Sequence, residues 1–106
     1  MAYYLVRARP RADRLVELAE RLGRDAFLGL RPFGQSLTSS LRDARLQDDG
    51  LAVWEEEDYC VPPLAQERAA VLDTYFDAIT VERVAQGEGW KRIETLPPLF
   101  DSLRAR

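Results

Sequence analysis

Apolar spacing changes repeatedly along the chain, and each change marks an element. Tyr3–Arg9 is dense in β-formers and ends at Pro10, which predicts a first strand. Alternation puts Tyr3, Leu5, Arg7 and Arg9 on one face and Tyr4, Val6 and Ala8 on the other. From about Arg11 to Leu22 the period becomes helical, with Leu15, Leu18, Ala19 and Leu22 on one side and Gly23 placed to end the helix.

The stretch Asp25–Leu46 supports two readings. Phe33, Gln35, Leu37, Ser39 and Leu41 alternate as in a strand, whereas Phe33, Leu37, Leu41 and Ala44 are spaced as in a helix. The strand is preferred, because the turn Asp48-Asp49-Gly50 and the following strand, Leu51–Tyr59, would complete a hairpin. Pro62-Pro63 then opens a helix over Leu64–Phe76, with Ala65, Ala69, Leu72 and Phe76 inward and Gln66, Glu67, Arg68 and Asp73 mostly opposite. Ile79–Ala85 predicts a last strand, closed by Gly87-Glu88-Gly89. Beyond it Trp90, Ile93, Leu96, Leu99, Phe100 and Leu103 recur every three or four residues, and Pro97-Pro98 rules out one continuous helix.

The order β-α-β-β-α-β predicts an α+β domain: a ferredoxin-like βαββαβ two-layer sandwich spanning 1–106, with a core over about 2–86 and an extra C-terminal segment over about 87–106. Strands one and three are expected to be central and parallel, with both helices on one face. That arrangement would bring Arg7 and Arg9 beside Glu55 and Glu57. The opposite sheet face, half apolar with Tyr3, Leu5, Leu51 and Val53, needs a cover. The apolar C-terminal segment, a second copy of the chain or a ligand would supply one.

Composition narrows the chemistry. Apolar residues make up 46% and charged residues 31%, the profile of a globular chain rather than a disordered one. A formal net charge of −3 argues against nucleic acid or an anionic membrane as a partner. One cysteine permits no internal disulfide, and with no signal-like N-terminus or membrane-length apolar run the chain reads as cytoplasmic. There is no histidine, so imidazole ligands, Cys-His and Ser-His pairs are excluded, leaving carboxylate, tyrosine, lysine, arginine and cysteine chemistry.

Four consecutive acids, Glu55, Glu56, Glu57 and Asp58, are either a hard-cation site or a strand end solvating itself, and the second reading is preferred. Arg7, Arg9, Arg11 and Arg14 are read as ion-pair partners ahead of an anion site. Cys60, among carboxylates, is read as a small buried apolar residue ahead of a nucleophile. The turn Gly87-Glu88-Gly89-Trp90 only superficially resembles a phosphate loop.

The leading expectation is a non-enzymatic interaction or regulatory domain, homodimeric through its open sheet face and through Trp90, Ile93, Leu96, Leu99 and Phe100, or bound to another protein. The alternative is a small enzyme or ligand-binding protein whose polar cleft is lined by Arg7, Arg9, Glu55, Glu57 and Tyr59, with a carboxylate of raised pKa as base. An accessory subunit of a larger enzyme is a third. No metal or other cofactor is called for by any motif.

Overall fold

The computed structural model describes residues 2–101. It is an α+β fold built on one four-stranded antiparallel sheet in the order β2-β3-β1-β4. Strand β1 (Ala2–Pro10) leads through a short 3-10 turn (Ala12–Arg14) into helix α1 (Leu15–Gly23). A second helix, α2 (Gly34–Arg42), precedes the two-residue strand β2 (Arg45–Leu46). After β3 (Ala52–Asp58) comes a helical segment over 65–75: α3 (Ala65–Glu67), a π-helical stretch (Arg68–Leu72) and α4 (Asp73–Tyr75). Strand β4 (Phe76–Val84) and helix α5 (Glu88–Ile93) follow.

Two expectations are corrected. The stretch around Phe33–Leu41 is helix, not strand. Leu37 and Leu41, one turn apart, are fully buried with Thr38, while Gln35, Ser36 and Ser39 stay exposed, so the helical spacing prevails. The hairpin survives in reduced form. Gly50 takes φ +87° and its N–H donates to the carbonyl of Gln47, closing the turn between β2 and β3.

The second correction concerns direction, since β1 and β3 are central but antiparallel. The connection through α1 and α2 sets β2 parallel to β1, and the hairpin then reverses the chain, so β3 runs against β1 as it fills the gap between them. The register pairs Tyr3 with Glu57, Leu5 with Glu55 and Arg7 with Val53.

The sheet separates two buried clusters. On one face Val6, Ala8, Ala52 and Trp54 pack under Leu18 and Leu22 of α1, Leu37 and Leu41 of α2, and Leu64, Val71, Leu72 and Tyr75 of the helical segment. On the other face Leu5, Val53 and Val84 are covered by Ile93 of α5, with Trp90 and Leu96 packed alongside. The chain's own C-terminal segment therefore covers the half-apolar face. Phe100 and Leu99 reach round to the larger cluster, and the N–H of Leu99 donates to the carbonyl of Ala44 at 2.8 Å. Leu103 lies outside the described residues.

Strand β4 forms one edge of the sheet, and a bulge at Ala78 (φ +53°) shifts its register against β1 between Arg7 and Arg9. The bulge and the exposed Asp77, Glu82 and Arg83 oppose edge-to-edge pairing with another strand. No helix among the described residues is long and apolar enough to cross a membrane.

Candidate functional site

The antiparallel register scatters the cleft expected from the sequence. Arg7 pairs with Glu82 at 3.3 Å, and Arg9 lies opposite Asp77 in the β1–β4 register. Arg11 pairs with Asp77 at 2.9 Å and Arg14 with Glu17 at 3.0 Å, so Arg7, Arg11 and Arg14 are spread over separate ion pairs. Of the other three, Glu57 keeps contact with Tyr59 and shares a cleft with Glu55. The Tyr59 hydroxyl donates to Glu57 Oε1 at 2.6 Å. Glu55 and Glu57, with Tyr3 and Trp90, line an open cleft of about 440 Å³ bordered by Gln35, Ser36, Ser39 and Ser40 of α2.

Glu55 already has a structural task. Its Oε1 accepts the backbone N–H groups of Gly89 (2.7 Å) and Trp90 (3.3 Å), and its Oε2 accepts that of Gly87 (2.8 Å). The glycine-rich turn does bind an anion, and the anion is a carboxylate of the same chain, satisfying N–H groups that the start of α5 leaves unpaired.

Period-two alternation along β3 sends Glu56 and Asp58 to the opposite, helix-covered face, together with Trp54. There they meet Glu67. The sequence reading placed Glu67 on the solvated side of its helix, but it has no exposed surface. The inward positions are Leu64, Glu67, Val71, Leu72 and Tyr75, while Ala69 faces outward. The π-helical stretch that begins at Arg68 widens the turn and changes which positions face the sheet.

The three acids differ in environment. Trp54 Nε1 donates to Glu56 Oε1 at 2.9 Å, and Oε2 has no hydrogen-bond partner. Burial raises the Glu56 carboxyl to about 8, with Glu67 and Asp58 adding repulsion against the pull of the Trp54 bond. Burial and the shared hydrogen bond with Asp58 raise Glu67 to about 7. Its Oε2 is likewise buried without a partner.

Asp58 moves the other way. Burial works against its ionised form, but bonds from the Leu64 backbone, from Glu67 and from the backbone of Cys60 and Tyr59 together lower its pKa. Its Oδ2 accepts the N–H of Leu64 at 2.6 Å and of Cys60 at 3.1 Å, folding the loop over 59–64 around one carboxylate. Leu64 adopts φ +65° at the point where that loop enters the helical segment.

Cys60 completes the group. Its Sγ lies 3.9 Å from Glu67 Oε1, and one donor atom each from Asp58, Cys60 and Glu67 fall within 4.8 Å of one another. The N–H of Gln66 favours the thiolate, but burial and the charges of Asp58 and Glu67 outweigh it and push the thiol up. By itself the sulfur is a poor nucleophile. Asp58, Tyr59, Cys60 and Val61 line an open cleft of about 280 Å³ together with Tyr4 and Arg83, whose guanidinium lies 5.9 Å from the Tyr4 ring centre.

The parity of Glu56 and Asp58 was readable from β3 alone; the inward turn of Glu67 was not. The chain matches no known protein family, no curated protein and no solved structure.

Proposed function

We propose that the protein binds a small ligand at the Asp58–Cys60–Glu67 cluster and that this is its working site. The observation that carries the reading is Glu67: a carboxyl group with no exposed surface whose Oε2 lacks any hydrogen-bond partner, set beside two residues that line a cleft. A buried, unpartnered carboxyl oxygen costs stability, and the large majority of buried polar atoms find partners. A ligand that answers this oxygen would account for it. This relocates the small-enzyme or ligand-binding reading from Arg7, Arg9 and Glu55 to the other face of β3, where Glu67 offers a buried carboxyl oxygen open to a ligand.

Self-association was motivated by the apolar residues Trp90, Ile93, Leu96, Leu99 and Phe100, and their packing on the chain's own sheet and core weakens that motive. Architecturally, we read the strand order and the two crossovers as a ferredoxin-like plan with α2 inserted before a shortened second strand.

Native mass spectrometry of gently purified protein tests the site and the stoichiometry together. A retained mass in the wild type that is absent from a folded Glu67→Gln variant supports the reading. A bare chain in both overturns it, and a bare dimer restores the interaction-domain reading.

A further inference from the structure

We infer that Asp58, Cys60 and Glu67 together hold a divalent transition-metal ion of borderline softness, Zn²⁺ being the type. The inference rests on the preceding reading of this cluster as the working site and adds the chemical class of what it holds.

The donors are two carboxylates and one sulfur within 4.8 Å of one another. Tetrahedral Zn²⁺ with bonds near 2.0 Å to oxygen and 2.3 Å to sulfur holds its donors roughly 3.3–3.5 Å apart. A modest inward movement of the side chains therefore closes the set around an ion. A sulfur donor disfavours Mg²⁺ and Ca²⁺, which take oxygen ligands, and favours Zn²⁺, Co²⁺ or Fe²⁺.

Independent of proximity, the cluster has unanswered acceptors. Glu67 Oε2 is buried without a partner, and so is Oε2 of the fully buried Glu56, which shares its strand face with Asp58. Three buried carboxyl groups cannot all stay ionised where water does not screen them. Either protons or a cation must neutralise them, and a cation also satisfies the open oxygen of Glu67. The half-buried Cys60 and the cleft at Asp58 provide the entry path. Three protein ligands leave a coordination position for water or substrate, as in catalytic rather than structural zinc sites.

The test uses the full chain, stripped with a chelator and titrated with Co²⁺ and then with Zn²⁺. Co²⁺ should give a near-ultraviolet thiolate charge-transfer band and visible bands of tetrahedral type, with the charge-transfer band abolished in Cys60→Ser. Glu67→Gln, its fold checked by circular dichroism, should bind roughly tenfold more weakly or worse, since loss of outer partners alone costs that much. Zn²⁺ should raise the unfolding midpoint of the wild type, and raise that of Glu67→Gln by less at the same concentration. Absence of both the thiolate band and the Zn²⁺ shift in folded wild type overturns the inference, as does unchanged binding in both variants. If native spectra show an organic mass lost in Glu67→Gln while neither metal has an effect, the ligand site stands and the metal falls. If neither mass nor metal binds, both fall.

Discussion

Glu55 and Gly89 are joined across the sheet face, the carboxylate Oε1 accepting the glycine N–H at 2.7 Å. That bond ties the middle of β3 to the start of α5, and it leaves no room for a side chain: a Cβ on Gly89 would lie 2.9 Å from the same oxygen and 3.2 Å from Leu5. Replacing Glu55 by Ala removes the acceptor for three backbone N–H groups. The expected loss is about 1.5–3 kcal/mol by urea unfolding, the range for hydrogen bonds to a charged group. Gly89→Ala should be destabilising for the steric reason. Stability unchanged within about 0.5 kcal/mol in both variants would show that α5 is not anchored there.

Alternation in Tyr3–Arg9 and Leu51–Tyr59 made both central strands legible, because each buries side chains on both faces under a strict period of two. Their relative direction was not legible from that pattern, and with it went the neighbours of Arg7 and Arg9. Phe33, Leu37 and Leu41 satisfy both periods, and only packing against Trp54 and Leu22 in a common cluster decides for α2. Glu67 was hidden for a different reason. A π-helical stretch changes the phase of a helix without any distinctive residue announcing it.

Ile93 is 3% exposed and packs with Leu5, Val53 and Val84. Ile93→Ala should cost about 2–4 kcal/mol through lost burial and the cavity left behind. The mass in solution, measured by light scattering, should stay the same. A change of oligomeric state with little loss of stability would return Ile93 to an interface.

Tyr75 links two helices through its hydroxyl, which donates to Glu17 Oε2 at 2.7 Å and accepts from the Arg21 guanidinium at 2.8 Å. Its ring is buried against Phe27, with centroids 6.3 Å apart. Tyr75→Phe keeps the ring and removes both bonds, for an expected loss of about 1–2 kcal/mol. Tyr75→Ala should cost about 3–5 kcal/mol. Equal effects of the two substitutions would mean that the hydroxyl, not the ring, holds α1 in place.

Glu56 sets the pH dependence of the metal-free protein. Its folded-state pKa, about 8, lies above the ordinary glutamate value of 4.5, and Glu67 at about 7 is displaced in the same direction. Between pH 4.5 and 8 the folded chain therefore binds more protons than the unfolded chain, so stability falls as pH rises. At 1.36 kcal/mol per unit, the loss across that window is on the order of 5 kcal/mol for Glu56. Asp58, with its pKa lowered, acts oppositely: its contribution is present above the unfolded value and is lost on acidification. Maximum stability should thus lie on the acid side of neutrality, near pH 5. Glu56→Gln keeps an acceptor for Trp54 Nε1 and cannot ionise. It should flatten the decline and leave the variant more stable than the wild type at pH 8, measured by urea unfolding of chelator-treated protein at both pH values. A wild type as stable at pH 8 as at pH 5, matched by the variant, would mean that Glu56 ionises freely and that its burial is relieved by movement of the loop over 59–64.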